Sequence, residues 1–105
     1  MGATIATAGI VCALGIAATA FVGLGAAASE SQRAAGIADA AALAAADTLA
    51  GFAAGEPCRN AEAVAISQTA SIARCDLEGL IATVEIRSHF GAIPVTAIAR
   101  AGPPR

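Results

Sequence analysis

The sequence predicts an α+β fold in which a long N-terminal α-helix precedes a small head with one further helix and a short antiparallel β-sheet. Three observations predict it. Residues 3–28 form an apolar run without a single charge, and the alanine-rich segment that follows has no proline before Pro57. Two later stretches alternate apolar and polar residues, which is the period of a half-buried strand. A chain of 105 residues has room for one small domain.

The uncharged run is long enough to cross a bilayer. It has 26 residues, whereas a transmembrane helix needs about 20. We therefore expect residues 1–29 to be the hydrophobic transmembrane part of the long helix. Its eight large apolar side chains favour insertion by only about 4 kcal/mol in total, so the anchor is marginal. A cleaved signal peptide is the alternative, although no basic residue precedes the run and the run is longer than a signal-peptide core.

Three small residues lie four positions apart within this run. Gly15, Thr19 and Gly23 would share one face of a helix, and small residues at this spacing let two helix backbones approach closely. We expect them to be helix-packing positions. The alternative is that a run so rich in alanine and glycine produces the spacing by chance.

The helix is expected to continue through residues 30–55 as an amphipathic segment, because alanine is the best helix former. Gly51, Gly55 and Pro57 indicate where it stops. At 100° per residue, four polar side chains fall in one narrow stripe along the helix, which Leu43 interrupts. The rest of the helix surface is apolar, which suits a helix packed by several neighbours. We expect Arg33 and Asp39 to make polar helix contacts; the whole stripe is Gln32, Arg33, Asp39 and Asp47.

The head, residues 56–105, is expected to begin with a helix between Cys58 and Cys75. Asn60 could cap it, with Glu62 near its start and Arg74 near its end, in agreement with the helix dipole. Its apolar contacts would come from Val64, Ile66, Ala70, Ile72 and Ala73.

The antiparallel sheet is expected after a turn at Glu78-Gly79. Residues 80–87 alternate with a period of two, and residues 95–100 form a second strand. Asp76-Leu77 could add a short third strand.

Composition and motifs exclude several functional classes. The net charge is −2, with six Arg, no Lys, no Trp and no Tyr, so the chain lacks the basic surface and the stacking platforms of a nucleic-acid binder.

We find no catalytic motif, and His89, the one histidine, is expected on a surface loop. A zinc site needs three or four ligands. We therefore predict no enzyme activity, no metal site, no cofactor and no direct nucleic-acid partner.

Several short motifs, taken in order, resemble one family. Residues 36–46 (GIADAAALAAA) are similar to the signature after the hydrophobic segment of TadE/TadG-like proteins of the tight-adherence (Tad, or Flp) type IV pilus system. The opening at residues 2–5 (GATI), the cysteines at 58 and 75, and the ending at residues 97–103 (AIARAGP) resemble the short actinobacterial TadE-like proteins. The likeness spans nearly the whole chain. It departs from the pattern in two places. No basic stretch precedes the run, and if processing follows Gly2, Thr7 stands where pilins generally carry a Glu.

The resemblance implies a minor pilin or pseudopilin that acts by helix–helix assembly. Its partners would be other pilin subunits, an inner-membrane assembly platform and the lipid bilayer, with the head outside the cell membrane. It also implies that Cys58 and Cys75 are paired, which would need an oxidising compartment; two reduced cysteines in a cytosolic domain are the alternative. A membrane-anchored extracytoplasmic adaptor that never enters a filament, and a secreted head released by cleavage, remain the other hypotheses.

Overall fold

The computed structural model describes residues 28–104, and the α+β class is confirmed for them. The first helix, α1, covers residues 28–49 of this part. It is followed by α2 (Pro57–Ser67), β1 (Ser71–Glu78), β2 (Ile81–Phe90) and β3 (Ile93–Ala101). The three strands form one antiparallel sheet in the order β1-β2-β3.

The core lies between the helices and one face of the sheet. α1 contributes the buried residues at helical spacing, and six of the seven are alanines: Ala34, Ile37, Ala38, Ala41, Ala42, Ala45 and Ala46. They belong to one cluster with Ala82, Val84 and Ile86 of β2 and with Ala61 and Ala65 of α2. Because alanine side chains are so short, this layer brings the α1 backbone close to the sheet and makes packing sensitive to added volume.

Two glycines allow the tight turns of the sheet. Gly79 (φ +60°) connects β1 to β2, and Gly91 (φ +61°) connects β2 to β3. Both lie in the left-handed region that residues with a Cβ rarely adopt. The first turn is the Glu78-Gly79 turn that the sequence indicates.

The limits predicted for the helix between the two cysteines are wrong. α2 ends at Ser67, so Arg74 and Cys75 belong to β1 rather than to the end of a helix. The cap is also different: Glu56 is the N-cap, and its two carboxylate oxygens accept hydrogen bonds from the backbone N–H groups of Cys58 (3.2 Å) and Arg59 (2.8 Å). Asn60 lies inside the first turn.

The predicted apolar contacts of α2 are corrected in the same way. Ala61 and Ala65 are its buried residues, whereas Ile66 is exposed. Ile72 and Ala73 lie in β1 and not in the helix. The predicted short strand at Asp76-Leu77 is therefore the end of an eight-residue strand.

Candidate assembly surfaces

The exposed side of α1 carries the polar stripe. Gln32, Arg33, Asp39 and Asp47 are all exposed, and Leu43, which interrupts the stripe, is 57% exposed. Asp39 therefore lies on the side of α1 that faces away from the sheet, where a neighbouring chain could contact it.

A polar cluster fixes the first described turn of α1 to the head. The carboxylate of Glu30 accepts a 2.8 Å hydrogen bond from the hydroxyl of Ser88, and Ser88 is only 2% exposed. The guanidinium of Arg33 lies 3.1 Å from the same carboxylate and donates to the backbone carbonyl of Gln68, just after α2. The first two charged residues after the uncharged run thus join α1 to both β2 and α2.

A disulfide joins α2 to the sheet. Cys58, in the first turn of α2, is bonded to Cys75 in β1, with the two Cα atoms 5.9 Å apart. This is the pair that the resemblance implies. It closes a loop over a separation of 17 positions and holds the short α2 against the outer strand β1.

Asn60 makes contacts that its position in the sequence does not predict. Its side-chain amide donates to Thr48 Oγ1 (2.8 Å) and to the carbonyl of Ala54 (3.0 Å). It therefore ties the last turn of α1 to the loop that leads into α2. The pattern around Asn60 resembles an N-cap, and this bridging contact has no local sequence signature.

An apolar groove lies at the far end of α1 from the uncharged run. It measures about 340 Å³ and its only charged lining residue is Asp47. Phe52, in the loop after α1, is 85% exposed beside it. The other lining residues come from α1, the turn that follows it, the β1–β2 turn and the C-terminal tail: Leu43, Ala46, Ala50, Leu80, Gly102, Pro103 and Pro104.

The sheet face opposite the helices is open and polar. It carries Arg74 and Asp76, which form an exposed 3.0 Å ion pair. Thr83, Glu85 and Ile98 line the same shallow depression. His89 lies on this side too, within β2 and not on the loop that the sequence predicted.

The predicted helix-packing residues Gly15, Thr19 and Gly23 lie outside the described residues. Between residues 28 and 104, no helix has the length and the apolar character that crossing a bilayer requires. Over that same range, no three His, Cys, Asp or Glu side chains are grouped so that they could hold a metal ion.

Comparison with known proteins assigns no family. No protein-family model, curated protein or solved structure matches the chain.

Proposed function

We propose that this chain is a minor pilin-like or pseudopilin-like structural subunit of a Tad-type pilus or a related secretion apparatus. In this proposal the uncharged run and α1 form one long helix from about residue 3 to residue 50. The run anchors the subunit in the membrane as a single pass and then packs against the helices of like subunits. The disulfide-bonded head lies outside the cell membrane.

One observation carries the proposal. An uncharged run of 26 residues leads directly into α1, and α1 is itself the helix on which the head is built. Glu30 and Arg33 hold the first described turns of α1 to β2 and to the end of α2. If the run continues α1 as one helix, as proposed, a force on the run would be transmitted to the head through the packed alanines and polar contacts of α1.

The composition of the run supports assembly in preference to permanent anchoring. Its alanines and glycines contribute little to membrane insertion, whereas small residues favour close helix–helix contact. Such a helix can leave the bilayer for a bundle of like helices at a lower free-energy cost than a leucine-rich helix.

The disulfide supports the extracytoplasmic location of the head. Disulfides persist in oxidising compartments and are rare in the cytosol. A head of this size also buries little apolar surface, so the cross-link has a clear stabilising role outside the membrane.

The test is the location of the native protein in its host. Surface filaments are sheared from the cells and separated from the membranes, and both fractions are probed for the chain. A filament subunit is expected in the sheared fraction as well as in the membrane. Exclusive recovery in the membrane fraction, while filaments are abundant, would favour the adaptor instead. A mature chain beginning well after Ser29 would favour the secreted head.

A further inference from the structure

The two outer strands of the sheet differ in how they are protected. β1 carries three charged residues, Arg74, Asp76 and Glu78, and its pairing with β2 is interrupted between Ile72 and Arg74. α2 also packs against β1, and the disulfide ties the two together. Charges, bulges and a covering helix are the devices that keep a strand edge from pairing with another chain.

β3 has few of these devices. It pairs with β2 through nine successive residues without a register shift, and its only charged residue is Arg100. Two of its large apolar side chains, Ile93 and Ile98, are 62% and 67% exposed. Among the described strands it is hydrogen-bonded to β2 alone. A long, regular, weakly charged edge strand is a template for another strand.

We propose that β3 pairs antiparallel with β3 of a second copy of this chain, about a two-fold axis that passes beside Ile98. Two sheets of three strands then become one sheet of six. The proposal is independent of helix–helix assembly through the uncharged run, and it gives the head an interface of its own.

The side chains of β3 select this register. Ala99 is buried on the helix side of the sheet and Ile98 is exposed on the open side. The pairing must therefore place residues of the helix side opposite each other, and residues of the open side opposite each other. Placing Ile98 opposite Ile98 of the second copy removes two exposed apolar side chains from water. It also sets each Arg100 opposite Thr96 of the other copy, so the two guanidinium groups stay apart.

Pro94 fits the same arrangement. It has no N–H to donate to a partner strand and is tolerated at strand edges or ends. With Ile98 on the axis, Pro94 lies opposite Gly102 of the second copy, which follows the end of β3 at Ala101. The ladder between the two copies therefore runs from Val95 to Ala101 and does not need a hydrogen bond from Pro94.

Disulfide trapping of the full chain in detergent tests the register. Cys12 is first replaced (Cys12→Ala), and Cys58 and Cys75 remain in their native bond. Ile98→Cys is then compared with Thr96→Cys, a control on the same strand and the same open side. Directly opposed residues have Cα atoms about 4.5–5.5 Å apart, which a disulfide can bridge. The two Thr96 positions would be about 14 Å apart along the strands, beyond its reach.

Mild oxidation is expected to give a covalent dimer with Ile98→Cys and about tenfold less with Thr96→Cys. Equal yields, a higher yield with Thr96→Cys, or no dimer from either variant would overturn the proposal. Far-UV circular dichroism verifies that both variants fold. The Ile98→Cys cross-link is expected to persist when Gly15→Leu is added, so failure of assembly through the run is distinguished from failure of the β3 interface.

A second measurement does not depend on cysteines. Ile98→Lys places two like charges opposite each other on the proposed axis. The folded variant is expected to show a monomeric mass by light scattering after subtraction of the detergent, at a concentration where the unmodified chain is dimeric. A mass unchanged from that of the unmodified chain would overturn the proposal.

Discussion

The hydroxyl of Ser88 donates a 2.8 Å hydrogen bond to the carboxylate of Glu30, although the two residues are 58 positions apart. Ser88 is the one buried polar residue found between positions 28 and 104, and its partner is the first charged residue of the chain. The contact ties the first described turn of α1 to β2.

Removing this contact is expected to destabilise the head. Hydrogen bonds to charged groups contribute about 1.5–3 kcal/mol, and Glu30 is partly solvated, so we expect Ser88→Ala to lower the free energy of unfolding by about 1–2 kcal/mol. Urea unfolding followed by far-UV circular dichroism measures it, because the chain has no Trp or Tyr for fluorescence. Glu62→Gln, at an exposed position on α2, is the control. Equal free energies of unfolding for Ser88→Ala and the unmodified chain would contradict a stabilising role for this contact.

The disulfide is expected to be the largest single stabilising feature of the head. Closing a loop of this length is worth about 3 kcal/mol in the chain-entropy model. Cys58→Ser together with Cys75→Ser should therefore shift the urea midpoint strongly downward, and reduction of the unmodified chain should have the same effect. Cys12→Ser is the control for loss of a thiol alone. A midpoint that is the same with and without reductant would refute this role.

The alanine layer of α1 is expected to reject larger side chains. Ala41 is fully buried, whereas its neighbour Ala40 is exposed. We expect Ala41→Leu to cost about 1–3 kcal/mol through overpacking, and Ala40→Leu to change stability by less than about 0.5 kcal/mol. The two variants have the same composition, so a difference between them in thermal unfolding reports packing alone. Similar unfolding temperatures would show that α1 is not packed tightly against the sheet.

The periodicity of the sequence predicted the parts of the fold in which one pattern holds without interruption. In β2, Ala82, Val84 and Ile86 are buried, as the alternation predicts. The polar stripe of α1 is exposed, and α1 ends before Gly51. In each of these elements, burial on one side dictates the residue pattern.

β1 was predicted wrongly for a physical reason. The irregularity in its pairing between Ile72 and Arg74 inserts an extra residue. Its two half-buried side chains, Ile72 and Cys75, are therefore three positions apart. That spacing is typical of a helix, so the strand resembled an extension of α2. The contacts of Asn60 and Ser88 join distant parts of the chain, and no local pattern encodes them.

The most direct test of the proposed function is to measure how much of the chain is recovered in sheared filaments after the predicted helix-packing residues are replaced. Gly15→Leu with Gly23→Leu would block close approach of helices on the predicted face. Ala17→Leu is the control, because it lies on the opposite side of the predicted helix and also adds apolar volume. We expect the double variant to disappear from the sheared fraction while its head still folds and forms the Cys58–Cys75 disulfide, and the control to remain there. Undiminished recovery of the double variant in filaments would contradict assembly through this helix.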